Sequence, residues 1–107
     1  MATLQALLDE LPRDTEAIPL PVIREIVNAH VGPWDRDQQS YAVKAGVIRP
    51  LPERVGSSHA FAVDHDEAVK ILVAAALAFV AGCAIVAMLR AIDGAGLDVG
   101  ALIKSMS

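Results

Sequence analysis

Asp35-Arg36-Asp37-Gln38-Gln39-Ser40-Tyr41-Ala42-Val43-Lys44-Ala45-Gly46-Val47-Ile48-Arg49-Pro50 is the stretch whose reading decides the fold. Asp35 has the residue type of a helix N-cap, and Gln38 three positions on completes a capping-box pattern, each residue satisfying an amide that the helix start leaves unpaired. The helix so begun should run to Ala45. Gly46 then stands where a helix-ending glycine belongs, because glycine takes left-handed backbone angles without steric cost. Beyond it the pattern turns extended, with Val47-Ile48 closed by Arg49-Pro50.

Upstream, Val22 to His30 reads as a helix with Ile23, Ile26 and Val27 facing inward and Pro21 in its first turn. Pro19-Leu20-Pro21 is an extended link. Val31-Gly32-Pro33-Trp34 breaks the chain between the two helices, since proline cannot donate to a helical ladder. Two short helices joined by a tight turn make a helix-turn-helix. Before them, Leu4, Leu7, Leu8 and Leu11 fall at helical spacing up to Pro12, so a short packing helix opens the chain.

Downstream, Val47-Ile48 and Ala60-Phe61-Ala62-Val63 read as two short strands around the turn-rich Leu51-Pro52-Glu53-Arg54-Val55-Gly56-Ser57-Ser58, a two-stranded hairpin that must lean on the helices. Asp64 caps the next helix, with Glu67 at the capping-box position. From Ile71 to Leu89 no residue is charged. This run reads as two helices broken near Gly82, about Ala68–Val80 and Ala84–Ile92, followed by a turn at Asp93-Gly94-Ala95-Gly96 and a last short helix from Val99 to Ile103.

The 107 residues fit one domain. Its parts are an N-terminal helix (1–17), the helix-turn-helix with its hairpin (18–63) and C-terminal helices (64–107). With 54% apolar residues and few aromatics, the core must be built from Leu, Ile, Val and Ala. A lone Cys83 excludes an intrachain disulfide and fits a reducing cytoplasm, the expected location. The first residues lack the basic stretch of a signal peptide. A net charge of −4 opposes nucleic-acid binding in sum. Between Gln38 and Gly56, however, Lys44, Arg49 and Arg54 face only Glu53.

Neither catalysis nor a cofactor is expected. No serine has a base motif around it, Cys83 sits in an apolar run where thiols are inert packing, and no glycine loop follows a strand. Asp64, His65 and Asp66 are adjacent at a helix start and point apart, so they are read as capping residues and not as metal ligands. His30 reads as a favourable charge at a helix C-terminus. The run from Ile71 to Leu89 has the length of a bilayer span. Its alanine content, its glycine break and its lack of clustered flanking cations favour a buried helical hairpin instead.

The segment Tyr41-Ala42-Val43-Lys44-Ala45-Gly46-Val47-Ile48-Arg49-Pro50 resembles the recognition helix of the MerR family, which carries tyrosine and ends in Gly-Leu-(Leu/Ile)-x-Pro. Phe61 falls where the second aromatic of that family's wing stands, and the helix from Asp64 where its third helix begins. The order of elements is also similar to that of small excisionases and short MerR-like regulators of actinobacteria, over about Ile18 to Ile92. The resemblance implies a mainly α, winged helix-turn-helix fold with a small two-stranded β-hairpin wing. Two family arginines are replaced here, by Ser40 before the tyrosine and by His59 in the wing. No long C-terminal coiled coil or effector domain is present in the sequence.

The primary expectation is therefore a DNA-binding protein, a transcriptional regulator or recombination directionality factor, working on double-stranded DNA. Arg36, Gln38 and Gln39 would reach base edges in the major groove, and Tyr41, Lys44, Arg49, Arg54 and His59 would hold phosphate or the minor groove. A homodimer through the apolar 71–89 helices is expected, because that run exceeds what so small a core can hide. The alternative is a non-catalytic protein-interaction module on the same fold, an antitoxin, anti-repressor or assembly factor. The third is a small membrane protein spanning at 71–89.

Overall fold

A computed structural model describes residues 4–12, 17–52, 54–55 and 60–96. The elements run α1 (Leu4–Asp9), β1 (Ile18–Pro19), α2 (Leu20–His30), α3 (Arg36–Lys44), β2 (Arg54–Val55), β3 (Ala60–Val63), α4 (His65–Ala81) and α5 (Ile85–Ala95). The described chain is mainly helical, with β3 paired antiparallel to β1 on one side and β2 on the other. The expected last helix from Val99 to Ile103 lies outside the described residues.

Local signals set most helix boundaries. Asp35 Oδ1 accepts the amide of Gln38 at 2.8 Å while Gln38 Oε1 accepts that of Asp35 at 3.2 Å, closing the capping box that the sequence announces. At the other end of α3, Gly46 takes φ +79°. The amide of Val47 then donates to the Ala42 carbonyl at 3.1 Å and that of Gly46 to Val43 at 3.1 Å, the paired bonds of a Schellman closure. Gly82, at φ +70°, ends α4 in the left-handed region, and α5 leaves at 114° to it. The uncharged run is thus two helices, as its glycine suggested. Among the described residues no single helix is long and apolar enough to cross a membrane, although α4 and α5 together have that length and composition.

The strands differ from expectation. Val47 and Ile48 form no strand: both amides turn back to the Ala42 carbonyl to close α3, and both side chains are buried. The outer strand of the hairpin is Arg54–Val55 instead, paired with Phe61 and Ala60. Ile18–Pro19, expected only as a link, pairs with Val63 and Ala62. Pro19 can occupy that place because β1 is an edge strand, where a missing N–H costs no ladder bond.

One core joins these elements. Leu7 and Leu11 from the N-terminal segment, Ile18, Leu20, Ile23 and Val27 from β1 and α2, Trp34, Ile48 and Val63 pack with α4 and with Leu89 and Ile92 of α5. Helix α4 is the axis of that core, buried continuously from Ala68 to Ala76. Helix α5 is amphipathic, with Leu89 and Ile92 inward and Ala87, Arg90 and Ala91 outward, so the expected burial of the hairpin is found only in α4, over Ala68 to Ala76.

Two glycines separate backbone strain from helix propensity. Gly46→Ala should destabilise the protein by about 1 kcal/mol, because an L side chain disfavours the left-handed region although open space surrounds the site. Gly94→Ala, inside α5 and equally unobstructed, should stabilise it by about 0.5 kcal/mol. Urea midpoints of the two variants should move in opposite directions.

Candidate functional site

Helix α3 carries the candidate site, and its phase follows from the residues it buries. Gln39 and Ala42 face the core and Val43 is half-buried. The opposite face presents Asp37, Ser40, Tyr41 and Lys44, with Arg36 and Gln38 exposed at its first turn. This face is polar and exposed. It is also held firmly, with a capping box at one end and a Schellman closure at the other.

The segment between α2 and α3 is braced by one carboxamide. Asn28 Oδ1 accepts the Trp34 amide at 2.7 Å, and Asn28 Nδ2 donates to the Trp34 carbonyl at 3.1 Å. Trp34 itself is buried, 1% exposed. The angle at which α3 leaves α2 is therefore set both by this brace and by the indole in the core. His30 at the end of α2 meets Glu10 beyond α1, Nε2 to Oε1 at 2.8 Å.

Behind α3 lies a charged cluster. Lys70 of α4 is buried, and its Nζ donates to the Val47 carbonyl at 3.0 Å while standing 2.9 Å from Glu67 Oε2 and 3.5 Å from Asp93 Oδ1. Glu67 Oε2 also accepts the Arg49 amide at 2.7 Å. Asp64 Oδ1 accepts the Glu67 amide at 2.7 Å as its cap role requires, but the Glu67 carboxylate does not return to Asp64. It turns to Lys70 and Arg49, which supply a cation and a backbone donor where a capping box would supply a single amide. This cluster ties the turn after α3 to α4 and α5.

The sequence-derived site residues are distributed as follows. Arg36, Gln38, Tyr41 and Lys44 share the exposed side of α3. Gln38 spends its oxygen on the cap and keeps its amide nitrogen. Gln39 corrects the expectation: it is 8% exposed, and its phase on the helix aims it inward beside Ala42, with Oε1 buried and unpartnered, away from the face that could meet a ligand. Arg49 is exposed just past the turn, with Nη1 at 3.6 Å from Asp93 Oδ1. Arg54 is placed by its backbone opposite Phe61 in β2, and His59 lies outside the described residues.

Two residues of this surface escaped the sequence reading. Asp37 stands in the middle of the exposed face, where its helical phase relative to Ala42 would have placed it. Arg90 of α5 reaches across to α3: its Nη2 donates to Tyr41 Oη at 3.2 Å, and its guanidinium carbon lies 5.9 Å from the ring centroid. Nothing local in the sequence announces that contact. Among the described residues, no group of three or more His, Cys, Asp or Glu side chains is placed to hold a metal ion.

The cluster behind α3 generates a stability prediction. Lys70→Ala should cost about 3 kcal/mol, since it leaves the Glu67 carboxylate and the Val47 carbonyl without their shared donor in a largely buried place. Lys70→Met with Glu67→Gln should recover part of that loss, because charge and counter-charge leave together. Chemical denaturation of the single and double variants measures both. Comparison with known proteins gives no match: no family model, no curated protein and no solved structure is similar to this chain.

Proposed function

We propose that this chain is a winged helix-turn-helix protein that binds double-stranded DNA through α3, acts without catalysis or cofactor, and regulates transcription or recombination. The observation that carries the reading is the exposed polar face of α3, presented by a helix fixed at both ends and followed by an antiparallel hairpin. In this reading α2 and α3 are the helix-turn-helix, and β2–β3 is the wing. The face has what the major groove demands: a guanidinium at Arg36, an acceptor at Asp37 suited to the cytosine amino group, a hydroxyl at Ser40 and an ammonium at Lys44. Gln38 retains its amide donor for a base edge. Tyr41 and Arg49 hold phosphates beside it, and Arg54 and His59 of the wing are assigned from the sequence to phosphate or the minor groove. Gln39 is left out of this set because of its burial.

Affinity from such a surface is modest. The chain is acidic in sum, and each phosphate contact must be made by a cation that is not already neutralised. Lys44 has no ion-pair partner among the described residues, whereas Arg49 shares its charge with Asp93. The protein-interaction alternative draws on a separate surface. Leu77, Phe79 and Val80 are exposed on the last turn of α4, beside exposed Cys83 and an apolar recess lined by Val31, Pro33, Phe79 and Ile85. The expected dimer interface narrows to this end of the run, because Ile71 to Ala76 are buried within the chain. We assign this patch to a homodimer contact.

Retardation assays and sedimentation test the proposal. In a retardation assay with duplex fragments at low and high salt, the unmodified protein should bind at low salt and lose affinity as salt rises. Lys44→Ala should weaken binding to every sequence and lower the slope of log K against log salt by about 0.9. Arg36→Ala or Asp37→Ala should instead cost ~1–3 kcal/mol of discrimination between sites with little change in that slope. No binding even at low salt would leave α3 a scaffold and give first place to the interaction module. Sedimentation should show a dimer that Phe79→Glu converts to monomer; a monomer at all concentrations would remove the dimer.

A further inference from the structure

We propose that Arg90, on α5, is a phosphate ligand of the DNA surface, supplying a guanidinium beside Tyr41 from outside the helix-turn-helix. The inference rests on the DNA-binding reading above and adds to it a residue, an element and a chemical role.

Three observations lead to it. Arg90 is exposed on a helix whose neighbouring Leu89 and nearby Ile92 are buried, so its outward direction is fixed by the core. Its partner is Tyr41 of α3, contacted by a hydrogen bond at 3.2 Å and by the ring at 5.9 Å. Among the described residues it meets no carboxylate, in contrast to Arg49 and Lys70, both of which share Asp93. Among the described residues its charge is thus uncompensated, and it lies directly beside Tyr41 on the exposed face of α3.

The hydrogen-bond stock completes the argument. A guanidinium has five N–H donors in a planar fork. The Tyr41 hydroxyl, in accepting from Arg90, keeps its own proton free to donate. The pair therefore offers an N–H fork and an O–H from adjacent atoms, the donor set that a phosphodiester takes up, with cationic charge to displace a counterion. The hydroxyl would make no charge-dependent contribution of its own. Arg90 thus brings a cationic charge to Tyr41 from α5, across the interhelical contact.

The test is a titration of a random-sequence duplex at several salt concentrations with the unmodified protein and with Arg90→Gln, Arg90→Lys and Tyr41→Phe. Arg90→Met serves as a second neutral substitution, and circular dichroism identifies the variants that keep the helical fold. The neutral variants should bind about five- to tenfold more weakly near 0.1 M salt, with the salt slope reduced by about 0.9. Arg90→Lys should keep the slope while losing part of the affinity, and Tyr41→Phe should lose affinity at unchanged slope. An unchanged slope in folded Arg90→Gln and Arg90→Met would overturn the assignment, and would show that Arg90 only braces Tyr41. If the unmodified protein binds no duplex, the DNA reading itself fails and this assignment with it; that failure is visible before any variant is compared.

Discussion

A single ammonium group holds together the part of the molecule that matters most. Lys70 Nζ, nearly enclosed, reaches the Val47 carbonyl, the Glu67 carboxylate and the Asp93 carboxylate. Those three groups belong to the turn that ends α3, to α4 and to α5. Burying an ammonium is costly, and the cost is offset only because hydrogen-bond acceptors and opposite charge surround it. The arrangement is directional where apolar packing is not. Displacing the end of α3 would pull the Val47 carbonyl away from the lysine. The exposed face of α3 has a fixed bearing relative to α5 for this reason, and the contact between Arg90 and Tyr41 follows from it.

The parts of this fold that were legible in the sequence are those decided within a few residues. Asp35 and Gln38, Asp64 and the Glu67 amide, Gly46 and Gly82 each act over one helical turn, so residue type and spacing suffice to place them. The strands were not legible in this way. Ile18–Pro19 becomes a strand only because Ala62 and Val63 lie beside it, and a two-residue strand has no periodicity to read. Val47-Ile48 has strand composition, but its amides are claimed by the end of α3, a local interaction that overrode the propensity of valine and isoleucine.

The candidate site was half legible for a related reason. Arg36, Gln38, Tyr41 and Lys44 are exposed as their polarity suggests, whereas Gln39 is polar and yet sits in the inward phase of the helix. Polarity argues for exposure on average; helical phase decides it for a given position. Counting from Ala42, the one small apolar residue between Tyr41 and Val43, would have turned Gln39 inward and brought Asp37 into view. Lys70 and Arg90 were beyond such counting. Lys70 finds Val47 and Asp93 each at a separation of 23 residues, and Arg90 finds Tyr41 at 49, contacts that exist only after the chain has folded.

The brace at Trp34 makes the molecule its own spectroscopic probe. Trp34 is the only tryptophan in the chain, and it is buried at the junction of α2 and α3 with its backbone gripped by Asn28. Its emission therefore reports the environment of that junction, while far-ultraviolet dichroism is weighted towards α4, the longest helix described. Two optical signals thus track two regions of one core. If they change together on denaturation, the helix pair and the long central helix form one cooperative unit. If the indole becomes solvated first, the junction is a separately melting subunit of the fold, and the orientation of α3 can be lost while most of the helix remains.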